Sequence, residues 1–283
     1  MYRKIRFLLI MSCLAIFAQA NAQFDDPKTL EVGPHVGLSY YMGDLNPTMP
    51  FAQAQLQYGG LVRFNYDNRW TFRFDYSRAM VTASDEVIKW RPERGLNFTS
   101  RINDFSLVAE FNFIEYYTGN PKKNVSPYIF GGISVFQYTA FATVGDQLID
   151  LSDYATEGPV DPNEKWYRKM FGKTSSIGVS IPFGMGLKFA LSRHMAGTVE
   201  WRMQKTFTDY LDDVATVYPE RNQHAVYTAE DGTTYDLTDP TGNYIAGQQR
   251  GNSAFNDWFG MARVSLTWKF NLPDGRGCNL SKF

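Results

Sequence analysis

Hydrophobic and polar residues alternate along most of this chain with a period of two, the spacing that sends successive side chains to opposite faces of a β-strand. The last such segment, Asn256 to Phe270, is the cleanest. Trp258, Gly260, Ala262, Val264, Leu266, Trp268 and Phe270 share one face, and Phe259, Met261, Arg263, Ser265, Thr267 and Lys269 share the other. A tilted membrane strand needs about 9–11 residues, often with aromatics at its ends, and this segment satisfies both requirements.

Earlier segments follow the same grammar. Strand one runs from about Leu30 to Met42, with Leu30, Val32, Val36, Leu38 and Tyr40 on its apolar face. Strand two, Leu56 to Tyr66, and strand three, from Trp70, form a hairpin around Asp67-Asn68-Arg69, whose residue types favour a tight turn. After a long polar loop from Ala83 to Arg101, strand four presents Phe105, Leu107, Ala109, Phe111 and Phe113 outward. Strand five, Pro127 to Thr143, carries apolar residues on both faces, so its orientation stays open. Gly131-Gly132 within it marks a bend or a close approach. Strand six has an outward row from Ile177 to Leu191 opposite Ser176, Gly178, Ser180, Gly184, Gly186 and Lys188. Strand seven sets Val199, Trp201 and Met203 against Thr198, Glu200, Arg202 and Gln204.

Eight strands predict an all-β fold: an eight-stranded antiparallel transmembrane β-barrel with long extracellular loops. Short turns follow strands two, four and six, and long loops follow the odd strands. Outer-membrane barrels pair short periplasmic turns with longer external loops, so this parity predicts periplasmic N- and C-termini. A barrel this narrow is filled by its own side chains. The inward list contains Glu31, Asp75, Asp104, Glu110 and Glu200 against Arg63, Arg73, Lys188, Arg202 and Arg263. Five charges of each sign allow a mutually paired interior and argue against a diffusion pore.

The ends set the compartment. Arg3, Lys4 and Arg6 precede an apolar run from Phe7 to Ala18 and then Ala20-Asn21-Ala22, the layout of a secretory signal peptide cleaved after Ala22. A competing lipoprotein box would end at Ser12-Cys13, but the apolar run continues past it. The expected organisation is therefore residues 1–22 as signal peptide, 23–270 as outer-membrane β-barrel and 271–283 as periplasmic tail. The chain carries a net charge of −1, and loss of three basic residues with the signal makes it more acidic, so no basic surface argues for nucleic acid. One cysteine, Cys278, then remains, which excludes an internal disulfide.

Candidate chemistry is sparse. The histidines are His35, His194 and His224. Only His35 falls at an interior position, and none sits in a nucleophile motif such as G-x-S-x-G, so the chain is not expected to be an enzyme. A packed, hydrogen-bonded His35 is the favoured reading. No His/Cys cluster has metal-ligand spacing. The run Asp209-Tyr210-Leu211-Asp212-Asp213 lacks the glycine and spaced acids of a calcium loop and reads as a hydrogen-bonded or solvated loop face. No catalytic, cofactor-binding or metal-binding residue is therefore assigned, and no cofactor is expected.

Several phrases together resemble the PorG family, outer-membrane barrels of the type IX secretion system. They are Tyr41-Met42-Gly43-Asp44-Leu45-Asn46-Pro47, Pro127-Tyr128-Ile129-Phe130-Gly131-Gly132, Lys205-Thr206-Phe207-Thr208-Asp209-Tyr210-Leu211-Asp212-Asp213-Val214, Asn256-Asp257-Trp258 and Ser265-Leu266-Thr267-Trp268-Lys269-Phe270. The resemblance implies a non-enzymatic barrel in outer-membrane lipid, associated with the periplasmic ring of the secretion apparatus, which is built from a lipoprotein and its partner. Contact with that ring is expected through turns such as Glu115 to Asn124 or through the tail. The residues also allow a local reading, in which Gly43-Asp44 and Asn46-Pro47 shape the first external loop and Thr208-Asp209 caps a short helix from Tyr210 over the barrel mouth. A stand-alone barrel for envelope integrity or adhesion and a lipid-modifying barrel enzyme are the alternatives.

Overall fold

The computed structural model describes residues 28–145, 147–158 and 176–272. The signal peptide expected over 1–22, the lipoprotein box at Cys13 and the tail beyond Leu272, with Cys278, lie outside the described residues. Eight long strands form the wall: β1 (Thr29–Met42), β2 (Gln55–Asn65), β3 (Trp70–Ser84), β4 (Asn97–Asn112), β5 (Val125–Val144), β6 (Ile177–Ala190), β7 (Met195–Thr206) and β8 (Trp258–Asn271). Each pairs antiparallel with its sequence neighbour, and β1 pairs with β8 from Thr29↔Asn271 to Met42↔Trp258, which closes the barrel. Closure leaves every wall strand with two partners and no free edge.

The alternation read from sequence becomes two surfaces. Val36, Leu38, Leu56, Phe72, Phe74, Phe105, Leu107, Ile133, Met185, Val199 and Val264 are exposed on the outside. All ten inward charges are buried. Among the described residues no helix is long and apolar enough to cross a membrane. Phe-rich exteriors around polar interiors invert the soluble pattern, and lipid is the solvent that makes such an exterior favourable.

Strand five, open in sequence, has a definite orientation. Tyr128, Phe130, Phe136 and Tyr138 point inward and are buried, while Ile129, Ile133 and Val135 point out. The inward aromatics fit because β6 sets glycine directly opposite them: Tyr128↔Gly186, Phe130↔Gly184 and Phe136↔Gly178. A Cβ at Gly178 would stand 2.3 Å from Phe136 Cζ, and one at Gly184 would stand 2.8 Å from Phe130 Cζ. Gly132 faces inward with its Cα against the β4 wall, whereas Gly131 faces open space, so the glycine pair serves close approach on one side only.

The loop expected from Ala83 to Arg101 is shorter than its polar composition suggested. β3 continues to Ser84 and β4 begins at Asn97. In these extensions the polarity reverses. Arg78, Thr82, Thr99 and Arg101 point outward, and Ala79, Val81, Ala83, Phe98 and Ile102 point inward and are buried. The apolar exterior therefore ends on one register row, with Tyr76↔Phe105 below it and Arg78↔Asn103 above. Beyond that row the outer face of β3 and β4 is largely polar, with Met80 the exception, and the inner face is apolar, as in a soluble barrel.

The ends close differently. At the short-turn end, Asp67 Oδ1 accepts from Arg69 N (2.7 Å) and Trp70 N (2.6 Å), the side-chain turn its residue types favour. The longer β4–β5 connection folds into the mouth and buries Tyr116 and Thr118. Thr118 Oγ1 donates to Glu31 Oε1 at 2.6 Å, and Lys269 Nζ donates to the Thr118 carbonyl. At the other end the segments after β1, β3, β5 and β7 assemble a cap. The segment after β5 pairs back on it through Gln147–Asp150, so the long loop expected after strand five begins as wall. The last insertion carries a small hairpin, Val226–Thr228 with Thr234–Asp236. No helix starts at Tyr210; its amide bonds to Thr208 Oγ1 at 3.3 Å, and the chain continues as bends.

Candidate functional site

Two clusters of polar groups lie within the described residues, one inside the barrel and one beneath the cap. The interior cluster links the inward charges of seven strands. Arg63 Nη1 lies 3.1 Å from Glu31 Oε2, and its Nε lies 3.1 Å from Glu110 Oε2. Glu110 also meets Arg73 Nη1 (2.5 Å) and Lys188 Nζ (2.6 Å). Arg73 reaches Glu200 at 2.6 Å, and Arg263 spans Glu200 (2.7 Å) and Asp75 (2.5 Å). Arg202 joins Asp104 at 3.1 Å. Strand alternation brings these groups together, because each occupies an inward position, from the middle of the barrel toward its short-turn end. In a dry interior such pairing offsets desolvation only if nearly every charge finds a counter-charge, which this arrangement provides.

His35 belongs to this network. Its Nε2 lies 3.1 Å from Asp75 Oδ1, 3.1 Å from the Tyr76 carbonyl and 3.3 Å from Arg263 Nη1. His194 lies in the β6–β7 turn, where its carbonyl accepts from Lys269 N, and His224 Nδ1 meets Asp236 Oδ2 at 2.6 Å in the outer loop. The three histidines thus occupy three separate places, and a catalytic grouping would need at least two partners at one of them.

The cap is where sequence reasoning had named residues singly and the fold joins them. Tyr41, inward at the end of β1, holds its phenol 2.5 Å from both Asp212 Oδ2 and Asp257 Oδ1. Asp257 also accepts from Leu211 N, and Asp212 from Val214 N. Asp44 Oδ2 accepts from Asn252 N at 2.6 Å, and Asn46 Nδ2 donates to the Tyr41 carbonyl. Arg94 grips Asp85 through two nitrogens and donates to the carbonyls of Asp44 and Arg250. Arg250 in turn donates to Glu157 and to the Asp213 carbonyl. Below these polar groups, Leu45, Leu96, Leu211 and Val214 pack on Val81, Phe98, Phe136, Phe259 and Met261, an apolar plug in the outer half of the barrel. Three of the family-resembling phrases, those at Tyr41, Lys205 and Asn256, therefore contribute to one structure. Arg94, Glu157, Asp85 and Arg250 were missed; their only sequence signal is charge in loops too long to register by spacing.

Protonation follows from this geometry. The Tyr41 hydroxyl has one proton and two carboxyl acceptors at equal distance, so one carboxyl supplies the second proton. Burial raises both Asp212 and Asp257 well above the ordinary carboxylate range. The Asp257 charge adds to the shift at Asp212, and the Asp209 charge to that at Asp257. Asp209 is pushed up to about 9, first by burial and then by Asp212. Asp44 and Asp85 are raised by burial as well, with Arg94 acting in the opposite direction on both. Among the described residues no group of three or more His, Cys, Asp or Glu is arranged to hold a metal ion.

A closed eight-stranded wall, a lipid-type exterior and an interior filled by paired charge define this protein as a transmembrane-type β-barrel. The chain belongs to the family described as domain of unknown function DUF6089, which matches residues 5–156. No curated protein sequence matches it. Solved structures to which it is similar include OprG of Pseudomonas aeruginosa, with 9% identity, 87% of this chain and 97% of that one covered and a TM-score of 0.41. The N-terminal β-barrel domain of Pseudomonas aeruginosa OprF gives 12% identity, coverages of 86% and 97% and a TM-score of 0.38. Neisserial surface protein A gives 9%, 86%, 97% and 0.36.

Proposed function

We propose that this chain is a non-enzymatic barrel of the bacterial outer membrane that serves the type IX protein secretion machinery by anchoring or positioning its periplasmic ring. The observation that carries the membrane part is the apolar exterior around a fully paired ionic interior. Such a wall seals against solute and spends its charged groups on one another rather than on a substrate. The secretion role rests on the phrases that resemble the PorG family. In this reading the short-turn end, with Thr29 beside Asn271, faces the periplasm, where the ring lipoprotein and its partner would meet it. The surface offered there is narrower than Glu115 to Asn124, because Tyr116 and Thr118 are folded into the mouth; Pro121 and Lys122 stay exposed.

A stand-alone envelope barrel is the second reading. It is favoured by the work that the resembling phrases do inside the cap, which accounts for those residues without a partner. Extraction in mild detergent of a version tagged on its C-terminal tail separates the two. Co-recovery of ring proteins, with loss of cargo secretion on deletion, is the expected result. Normal secretion with no ring protein recovered would leave the stand-alone reading.

A further inference from the structure

On β1, β7 and β8 the apolar exterior continues to the outer strand ends, and there the wall is not smooth. Tyr40 points outward yet is only 2% exposed, because its ring lies flat across Gly260 of β8, where a Cβ would stand 2.2 Å from Tyr40 Cζ. Its hydroxyl accepts from Trp201 Nε1 at 2.8 Å and donates to Met203 Sδ at 3.0 Å, tying three strands together on their outer face. Phe51 returns from the first loop to cover this ring, with centroids 4.1 Å apart. Beside this floor lies a cavity of about 660 Å³. Met42, Met203 and Trp258 line it from outward positions on the wall, and Pro47, Trp90 and Phe255 line it from the cap loops. Phe255 is 73% exposed and Trp90 54%, large apolar side chains that the cap itself leaves uncovered. Asp44 and three arginines also line the hollow. Asp44 accepts from Asn252 N, and Arg94 and Arg250 are held by Asp85, Glu157 and backbone carbonyls. The cations left to a ligand are Arg91 and the neighbouring Lys205, whose Nζ lies 5.7 Å from the Trp258 ring. Arg91 also meets Glu93 at 3.4 Å in an exposed pair, which is worth little and yields easily.

We propose that this hollow is a lipid site, which takes one acyl chain of an anionic membrane lipid and sets its headgroup between Arg91 and Lys205. Three observations select this occupant. The floor is continuous with the lipid-facing exterior, so a chain enters from the bilayer without crossing water. The volume falls in the range of about 300–1,000 Å³ usual for small-ligand sites. Lys205 stands at the outer end of β7 and Arg91 in the cap loop that follows β3, positions from which long basic side chains can reach a lipid headgroup. The proposal rests on the membrane reading above and adds to it a specific, countable lipid.

The full barrel, inserted first into vesicles and checked by protease protection, is then extracted into detergent with dioleoylphosphatidylglycerol or dioleoylphosphatidylcholine as probe, and the adducts are weighed by native mass spectrometry. The expected result is one phosphatidylglycerol per barrel that survives detergent dilution. Met42→Trp, which fills the hollow from the wall, should lower that occupancy at least about tenfold while the barrel keeps its folded gel mobility; Pro47→Trp repeats the test from the loop side. Arg91→Gln with Lys205→Gln should reduce phosphatidylglycerol retention to the level of phosphatidylcholine. Retention unchanged by both filling variants, or adducts that are multiple and indifferent to headgroup, would overturn the site while leaving the membrane reading intact. A barrel that fails to insert would contradict the membrane reading itself.

Discussion

Glu110 shows how much one interior residue carries. It faces Arg63, Arg73 and Lys188 at once, so Glu110→Gln leaves three cations with one counter-charge fewer. Breaking a buried ion network from one side costs about 3–5 kcal/mol, and urea unfolding in vesicles should show a loss of that order. In the cap the sign is different. The folded Asp212 and Asp257 hold protons to higher pH than the unfolded value of 3.8, so the cap is most stable below that value and loses stability as pH rises toward and through the folded values. Cleavage of the 207–257 segment by an added protease should therefore accelerate between pH 5 and pH 8. Asp212→Asn keeps an acceptor for Val214 N and gives Tyr41 a permanent donor. It should match the parent below the unfolded value of 3.8 and resist cleavage at least about tenfold better at pH 8, tenfold being the effect of one pKa unit. An unaltered pH dependence in this variant would remove the dyad from the account.

Among elements, β5 and β6 depend on each other most visibly. Gly178 faces Phe136 across the pair with no room for a Cβ. Gly178→Ala should cost about 1–3 kcal/mol by overpacking, and adding Phe136→Leu should recover part of it, a non-additivity that equilibrium unfolding of the four variants measures. Strict additivity would mean that the two side chains do not compete for space. This pair also marks where sequence reading stops. The wall strands, their order and the inward charges were legible because one face was apolar and the other polar. β5 was not, because its aromatics serve the interior while its aliphatics face out, and only the opposing glycines of β6 distinguish them. The outer extensions of β3 and β4 read as loop for a related reason. Their polarity reverses where the wall leaves the apolar belt, so the period survives while its sense changes. The cap was least legible: Tyr41, Asp212 and Asp257 are far apart in sequence, and nothing in spacing announces that they meet.

The whole molecule is a barrel with three zones along its axis. An ionic middle is closed at the short-turn end by Tyr116, Thr118 and Lys269, and at the loop end by an apolar plug under a hydrogen-bonded cap. Each zone fixes the next, since the loops that form the cap are held by strands whose interior charges are paired. The central claim is that lipid surrounds the exterior while the interior stays dry. Nitroxide labels at Ile133 and Val264, outward and exposed, and at Thr82 and Thr99 above the apolar belt test it in reconstituted vesicles, with the native cysteines replaced. The account expects oxygen to relax the first two labels strongly and a water-soluble nickel complex to relax only the second two. Equal access of the nickel complex to all four positions would contradict it.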